Sequence, residues 1–85
     1  MASYNLRIKR DAEKEIRRLP KSDIKRIVTK ILQLAEDPRP QGCEKLKGEE
    51  GYRIRQGDYR IVYLINDADR LVQVITVGHR RDVYR

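Results

Sequence analysis

The apolar residues of this chain change their spacing at one point, and that change limits the folds open to it. Up to Ala35 they recur every three to four positions, as Ala12, Ile16 and Leu19 in one run and Ile24, Ile27, Val28, Ile31, Leu34 and Ala35 in a second. From Tyr52 they recur at every second position: Tyr52 and Ile54 alternate with Arg53 and Arg55, and Tyr59 to Ile65 and Leu71 to Val77 are β-branched and aromatic runs. The first spacing buries one face of a helix and the second one face of a strand. A short opening segment, Ser3 to Ile8, also alternates, with Tyr4, Leu6 and Ile8 on one side.

Turn chemistry divides these runs. Asp11 and Ser22 are placed to cap two helices, Asp23 falls in the first turn of the second, and Leu19-Pro20 halts the first. The second stops at Asp37-Pro38-Arg39-Pro40-Gln41-Gly42, and residues 37–50 read as a loop. Gly57-Asp58, glycine first, is a two-residue hairpin turn, and Asn66-Asp67-Ala68-Asp69 is a second turn. Gly78 ends the last strand, and His79 to Arg85 form a polar tail too short to stand alone as a helix. The order predicts an α+β fold: an N-terminal strand, a helical hairpin, then a three-stranded antiparallel meander, with the helices packed on one face of the sheet. Eighty-five residues suffice for a single domain over residues 1–85.

Composition removes several function classes. No apolar run approaches the roughly 18 residues of a membrane span, and Met1-Ala2-Ser3-Tyr4 lacks the apolar stretch of a signal peptide, so a soluble cytoplasmic protein is expected. One cysteine, Cys43, cannot close an internal disulfide, and with the single histidine it leaves too few soft ligands for a structural zinc site. Glu49-Glu50 and the Asp67/Asp69 pair sit in loops without neighbouring ligands, which gives metal-dependent nuclease chemistry little support. The net charge of +7 and pI near 9.9 instead point to a polyanionic partner. The seven lysines all lie before Tyr52, whereas residues 52–85 carry seven arginines. Arginine is the side chain that grips a phosphate in two places.

If Gly57-Asp58 is a two-residue turn, Gln56 faces Tyr59 and Arg55 faces Arg60. Directly opposed like charges cost a sheet about 0.2–1 kcal/mol, and an anion between them reverses the sign. Arg53 points to the same side as Arg55, and the last strand returns Gly78, His79 and Arg80 towards the turn, so Arg53, Arg55, Arg60 and Arg80 are expected to converge on a phosphodiester. Tyr84 can stack on an unpaired base. Lys45 and Lys47 straddle Leu46 and can guide a phosphate backbone, and His79 has the side-chain type suited to proton transfer near neutrality.

Four segments together resemble a known family. Lys45-Leu46-Lys47-Gly48, Tyr52-Arg53-Ile54-Arg55, Asp58-Tyr59-Arg60-Ile61-Val62-Tyr63 and Val77-Gly78-His79-Arg80-Arg81-Asp82-Val83-Tyr84 look like the RelE branch of the RelE/ParE toxin superfamily, over nearly the whole chain. The resemblance implies a type II toxin that enters the ribosomal A site and cuts mRNA without metal or other cofactor. The ribose 2′-hydroxyl attacks its own phosphate, leaving a cyclic phosphate and a free 5′-hydroxyl. By position, Arg53 and Arg55 are the basic pair, Arg60 grips the phosphate, Arg80 assists the leaving group and Tyr84 stacks on the base; Lys45, Lys47, His79 and Arg81 are further RNA contacts. The implied partners are a cognate antitoxin, the ribosome and mRNA, and operator DNA only through the toxin–antitoxin complex.

Two departures from the best-described relatives stand out. They carry lysine where this chain has Arg53 and Arg55, one of those lysines being credited as the base, and arginine is a poor proton acceptor. The base is therefore open between Tyr84, His79, a water, an arginine with a displaced proton and a ribosomal group. The tail also ends one residue after Tyr84, shorter than in relatives with a further helix. The alternatives to a nuclease are a ParE-like inhibitor of DNA gyrase and a non-catalytic nucleic-acid-binding module.

Overall fold

The computed structural model describes residues 3–79. The elements are β1 (Asn5–Ile8), α1 (Arg10–Arg17), α2 (Lys21–Glu36), β2 (Glu44–Lys45), β3 (Tyr52–Gln56), β4 (Tyr59–Asn66) and β5 (Leu71–His79). They form the expected α+β arrangement. The strands make one sheet in the order β1-β5-β4-β3-β2, in which β1 runs parallel to β5 and the other neighbours are antiparallel.

Both helices begin differently from the expectation. Asp11 lies inside the first turn of α1, behind an N-cap at Lys9 that makes no side-chain bond. Ser22 lies likewise inside α2, whose N-cap is Pro20 at φ −57° and ψ 149°. A proline has no N–H to leave orphaned and its ring holds φ where a helix start needs it. The acidic residues still act there, since Asp11, Glu13 and Asp23 place negative charge by the positive ends of the two helix dipoles.

The core lies between the helices and one sheet face. Ala12 and Ile16 of α1 and Ile27, Ile31 and Leu34 of α2 pack with Ile54, Ile61, Tyr63, Val72, Val74 and Val77. Each large aliphatic side chain buried in this way contributes roughly 1.5–3 kcal/mol. Val28, expected on the buried stripe, is 39% exposed, because the stripe is centred on positions 27, 31 and 34. Tyr63 is fully buried and its hydroxyl donates to the Pro38 carbonyl at 2.8 Å, tying the loop after α2 to the middle of β4. Burial raises the Tyr63 pKa above the ordinary phenol value.

Two features of the sheet depart from a plain meander. The segment expected as loop, residues 37–50, contains β2, which pairs Glu44 with Arg53 and Lys45 with Tyr52. Two charged residues carry no alternation from which a strand could be read. Gly51 then brings the chain back at φ +122°, with the Tyr63 carbonyl oxygen 3.2 Å from where a Cβ would stand. In β5 the register slips, so that Val62 pairs with Thr76 and Tyr63 with Val74, leaving Ile75 as the extra residue of a bulge. The edge left open there is closed by Glu15 of α1, whose carboxylate accepts from Thr76 Oγ1 at 2.9 Å and from the Val77 N–H at 3.0 Å. Among the described residues no helix is long and apolar enough to cross a membrane.

Candidate active site

The β3–β4 hairpin builds the site. Gly57 takes φ +62°, a conformation open to glycine at the first central position of a two-residue turn. The turn fixes the pairs Gln56–Tyr59, Arg55–Arg60, Ile54–Ile61 and Arg53–Val62. Ile54 and Ile61 face the helices and are buried, so alternation sends Arg53, Arg55 and Arg60 to the opposite face. On the far side of Arg60 the partner in β5 is Gly78, which brings no side chain into the space beside the guanidinium. Arg60 Nε is buried against the sheet, while Arg55 is exposed.

Arg53 Nε donates to Glu44 Oε1 at 3.3 Å across the β2–β3 pair. The cleft here has a volume of about 320 Å³ and is lined by Lys30 of α2, Gln41 and Glu44 as well as by Arg53, Arg55 and Arg60. Lys30, Gln41 and Glu44 were missed from the sequence. Glu44 reaches the cleft through the two-residue β2, and Lys30 through the fold-back of α2 beside the β3 edge, neither of which leaves a periodic signal. The cleft sets four cationic side chains against one carboxylate, an arrangement that attracts an anion.

Other expected site residues lie elsewhere. His79 pairs with Tyr59 on the face that carries the helices, and its ring meets the Tyr59 ring edge-on at 6.1 Å. Together they border a separate hollow of about 290 Å³ with Asp23, Arg26 and Asp58. The Tyr59 hydroxyl donates to Asp23 at 3.1 Å, and burial followed by that carboxylate raises its pKa. Lys45 lines a third hollow with Arg39, Tyr52 and Asp67 at the other end of β3, and Lys47 is exposed in the turn after β2. Arg80, Arg81 and Tyr84 lie outside the described residues. No group of three His, Cys, Asp or Glu side chains that could hold a metal occurs among the described residues.

The family model for the ParE toxin of type II toxin-antitoxin system, parDE, matches residues 6–84. The chain belongs to the RelE/ParE toxin superfamily. Its relatives include toxins named RelE. The toxin RelE of Mycobacterium tuberculosis is 31% identical over 84 residues, covering 96% of this chain and 87% of its own. Two solved RelE structures share the fold. The archaeal RelE–RelB complex of Pyrococcus horikoshii aligns with TM-score 0.84 and 28% identity, over 94% of this chain and 98% of that one. The intact Escherichia coli RelBE toxin–antitoxin complex aligns with TM-score 0.79 and 32% identity, over 91% and 96%. As a RelE-type toxin, the chain carries its like-charge arginine pair on the sheet face that the two helices leave uncovered.

Proposed function

We propose that this toxin is a ribosome-dependent endoribonuclease that cleaves mRNA in the A site by metal-independent attack of a ribose 2′-hydroxyl. The observation that carries the reading is the Arg55–Arg60 pair, held in direct register on the face opposite the buried Ile54 and Ile61, with Arg53 on the same side and Gly78 leaving room beside it. Like charges set directly opposite one another favour an anion between them. In the transition state the pentavalent phosphate carries more negative charge than the substrate, and donors already fixed on strands stabilise that gain with little reorganisation. Arg60 and Arg55 contact the phosphate, Arg53 flanks it, Arg80 supports the leaving 5′-oxygen and Tyr84 stacks on the base. His79 and Arg81 contact the RNA outside the reacting bond, and Lys45 and Lys47 follow its backbone towards the other end of the sheet.

On this reading the 85 residues act as one toxin domain in the cytoplasm, held in check by a cognate antitoxin, as the RelE–RelB complexes among the solved relatives support. Operator DNA is reached only through that complex. The family model's parDE description favours a second reading, inhibition of DNA gyrase without nuclease chemistry. Primer extension on mRNA, with and without programmed ribosomes, tests the two. Cuts within the A-site codon that require ribosomes and vanish in Arg80→Ala support the nuclease. Intact mRNA in both mixtures, together with blocked supercoiling by gyrase, supports the second reading.

A further inference from the structure

One cation of the arginine cleft comes from a helix and not from the sheet. Lys30 is half-buried on α2, whereas Lys21, Lys25 and Arg26 of the same helix are exposed. Its ammonium makes no hydrogen bond or ion pair with another described residue, in contrast to Arg17 on Glu13 and Arg39 on Asp67. A charge drawn partly out of water without a partner costs stability, and an anion that reaches it offsets the cost. Lys30 lines the cleft and also borders a second, more open hollow of about 550 Å³, shared with Lys25, Arg26 and Gln56. It therefore stands at the corner where the cleft passes round the edge of β3 to α2. That corner exists because β2 stops short. Its pairing with β3 ends at Glu44–Arg53, and beyond it the cleft beside Ile54 and Arg55 is bordered by Gln41, Gly42 and Lys30. A Cβ at Gly42 would meet nothing within 4 Å, so the loop leaves the passage open.

The geometry points to Lys30 as a second phosphate contact, holding the mRNA phosphate next to the one that is cut, where the strand leaves the arginine cleft round the edge of β3 towards α2. The assignment deepens the nuclease reading and rests on it. Arg55 and Arg60 reach the cleft from the sheet and serve the reacting phosphate. A strand whose reacting phosphate lies between them carries the neighbouring phosphate to one mouth of the cleft, and Lys30 is the cation that waits there from the helix side. Lysine suits this place. A compact charge on a flexible stem follows a phosphate through small changes of strand geometry, whereas the planar fork of arginine fixes one phosphate in a set orientation. Lys30 touches no reacting atom, so it binds the ground state and the transition state alike. Such a contact lowers KM and leaves kcat unchanged.

The test uses programmed ribosomes whose mRNA carries a neutral methylphosphonate at the phosphate on one side of the cut or the other. Wild type, Lys30→Gln and Lys30→Arg are compared, with Lys14→Gln on the exposed side of α1 as the control for net charge. Single-turnover cleavage gives the saturating rate and the half-saturating toxin concentration. Binding to the same ribosomes with a 2′-deoxy nucleotide at the cut gives the affinity without chemistry. Lys30→Gln is expected to weaken binding about tenfold, to leave the saturating rate unchanged, and to lower the slope of log affinity against log salt by about 0.7. Lys30→Arg should restore most of the affinity, and Lys14→Gln should stay within about twofold of wild type. Methylphosphonate at one of the two positions should weaken wild type equally and add nothing to Lys30→Gln. Losses that add at both positions, or Lys30→Gln that binds like wild type, would overturn the assignment. So would an equal loss on ribosomes without mRNA in the A site, which would give Lys30 to ribosomal RNA. Wild type that binds but leaves the mRNA whole would remove the nuclease reading, and the binding comparison would still decide the Lys30 contact.

Discussion

The two ends of the β3–β4 hairpin hold the same functional group in opposite circumstances. At the end away from the turn, Arg39 donates to both carboxylate oxygens of Asp67, at 3.2 and 2.9 Å, and lies over the Tyr52 ring 5.2 Å from its centre. Its Nε reaches the Tyr52 hydroxyl at 3.2 Å, and Tyr4 donates to the same aspartate at 2.7 Å. The two bonds, Arg39 first, hold the Asp67 carboxyl below the usual carboxylate range. At the turn end, the register sets Arg55 and Arg60 directly side by side, with Gly78 on the far side of Arg60. One end uses a guanidinium to fasten the chain; the other accepts a repulsion that stability alone does not reward.

The comparison can be broken most sharply at Arg60. Arg60→Ala is expected to lower A-site cleavage about a hundredfold or more while leaving the thermal midpoint close to wild type. A fall in stability to match the loss of cutting would make Arg60 a structural residue like Arg39. Arg39→Ala should do the reverse. With exposed charges discounted for solvent screening, it should cost about 1 kcal/mol, from the cation–π contact and the ion pair together, and leave the cleavage rate of the folded protein unchanged. Denaturant unfolding and single-turnover kinetics on the same preparation decide it.

The far end should also respond to acid. The Asp67 pKa is lowered in the folded protein, so its contribution is present above the unfolded carboxylate value and is lost as pH falls through the folded one. The stability difference between wild type and Asp67→Asn should therefore shrink on titration below about pH 4, the ordinary aspartate range. A difference constant across that range would deny the pairing. The smallest effect is expected at Arg55. Arg55→Gln should stabilise the free toxin by about 0.2–1 kcal/mol, by relieving the opposed charges, while slowing cleavage. Destabilisation would mean that an anion or acidic side chain already compensates the pair.

How far the sequence reveals this depends on the length of chain over which each feature is set. The Arg55–Arg60 register follows from a turn of two residues, Gly57 and Asp58, and counting outward from it is enough. The helical stripe through Ile27, Ile31 and Leu34 is equally local. The Arg39–Asp67 clamp joins residues from two loops, neither of which has a period to read. Glu44 enters the cleft only because β2 forms at all, and His79 lies on the face away from the arginines because alternation places it beside Tyr59. The bulge at Ile75 is also invisible to alternation, since Val72, Val74 and Val77 all reach the core in spite of it. Chemistry written on one hairpin is legible, and chemistry assembled from two loops is not.

The two-residue turn also bears on timing. A hairpin closes in about 1–10 μs, whereas pairings between distant parts of a chain wait on the closure of much longer loops. The parallel pairing of β1 with β5 joins Asn5 to Leu71, nearly the whole length of the described chain. Arg55 and Arg60 are therefore brought together early, while the ends of the sheet are still apart. A polyanion present during synthesis would meet the paired guanidinium groups before the surrounding fold is complete, and would favour the hairpin's closure by cancelling its repulsion.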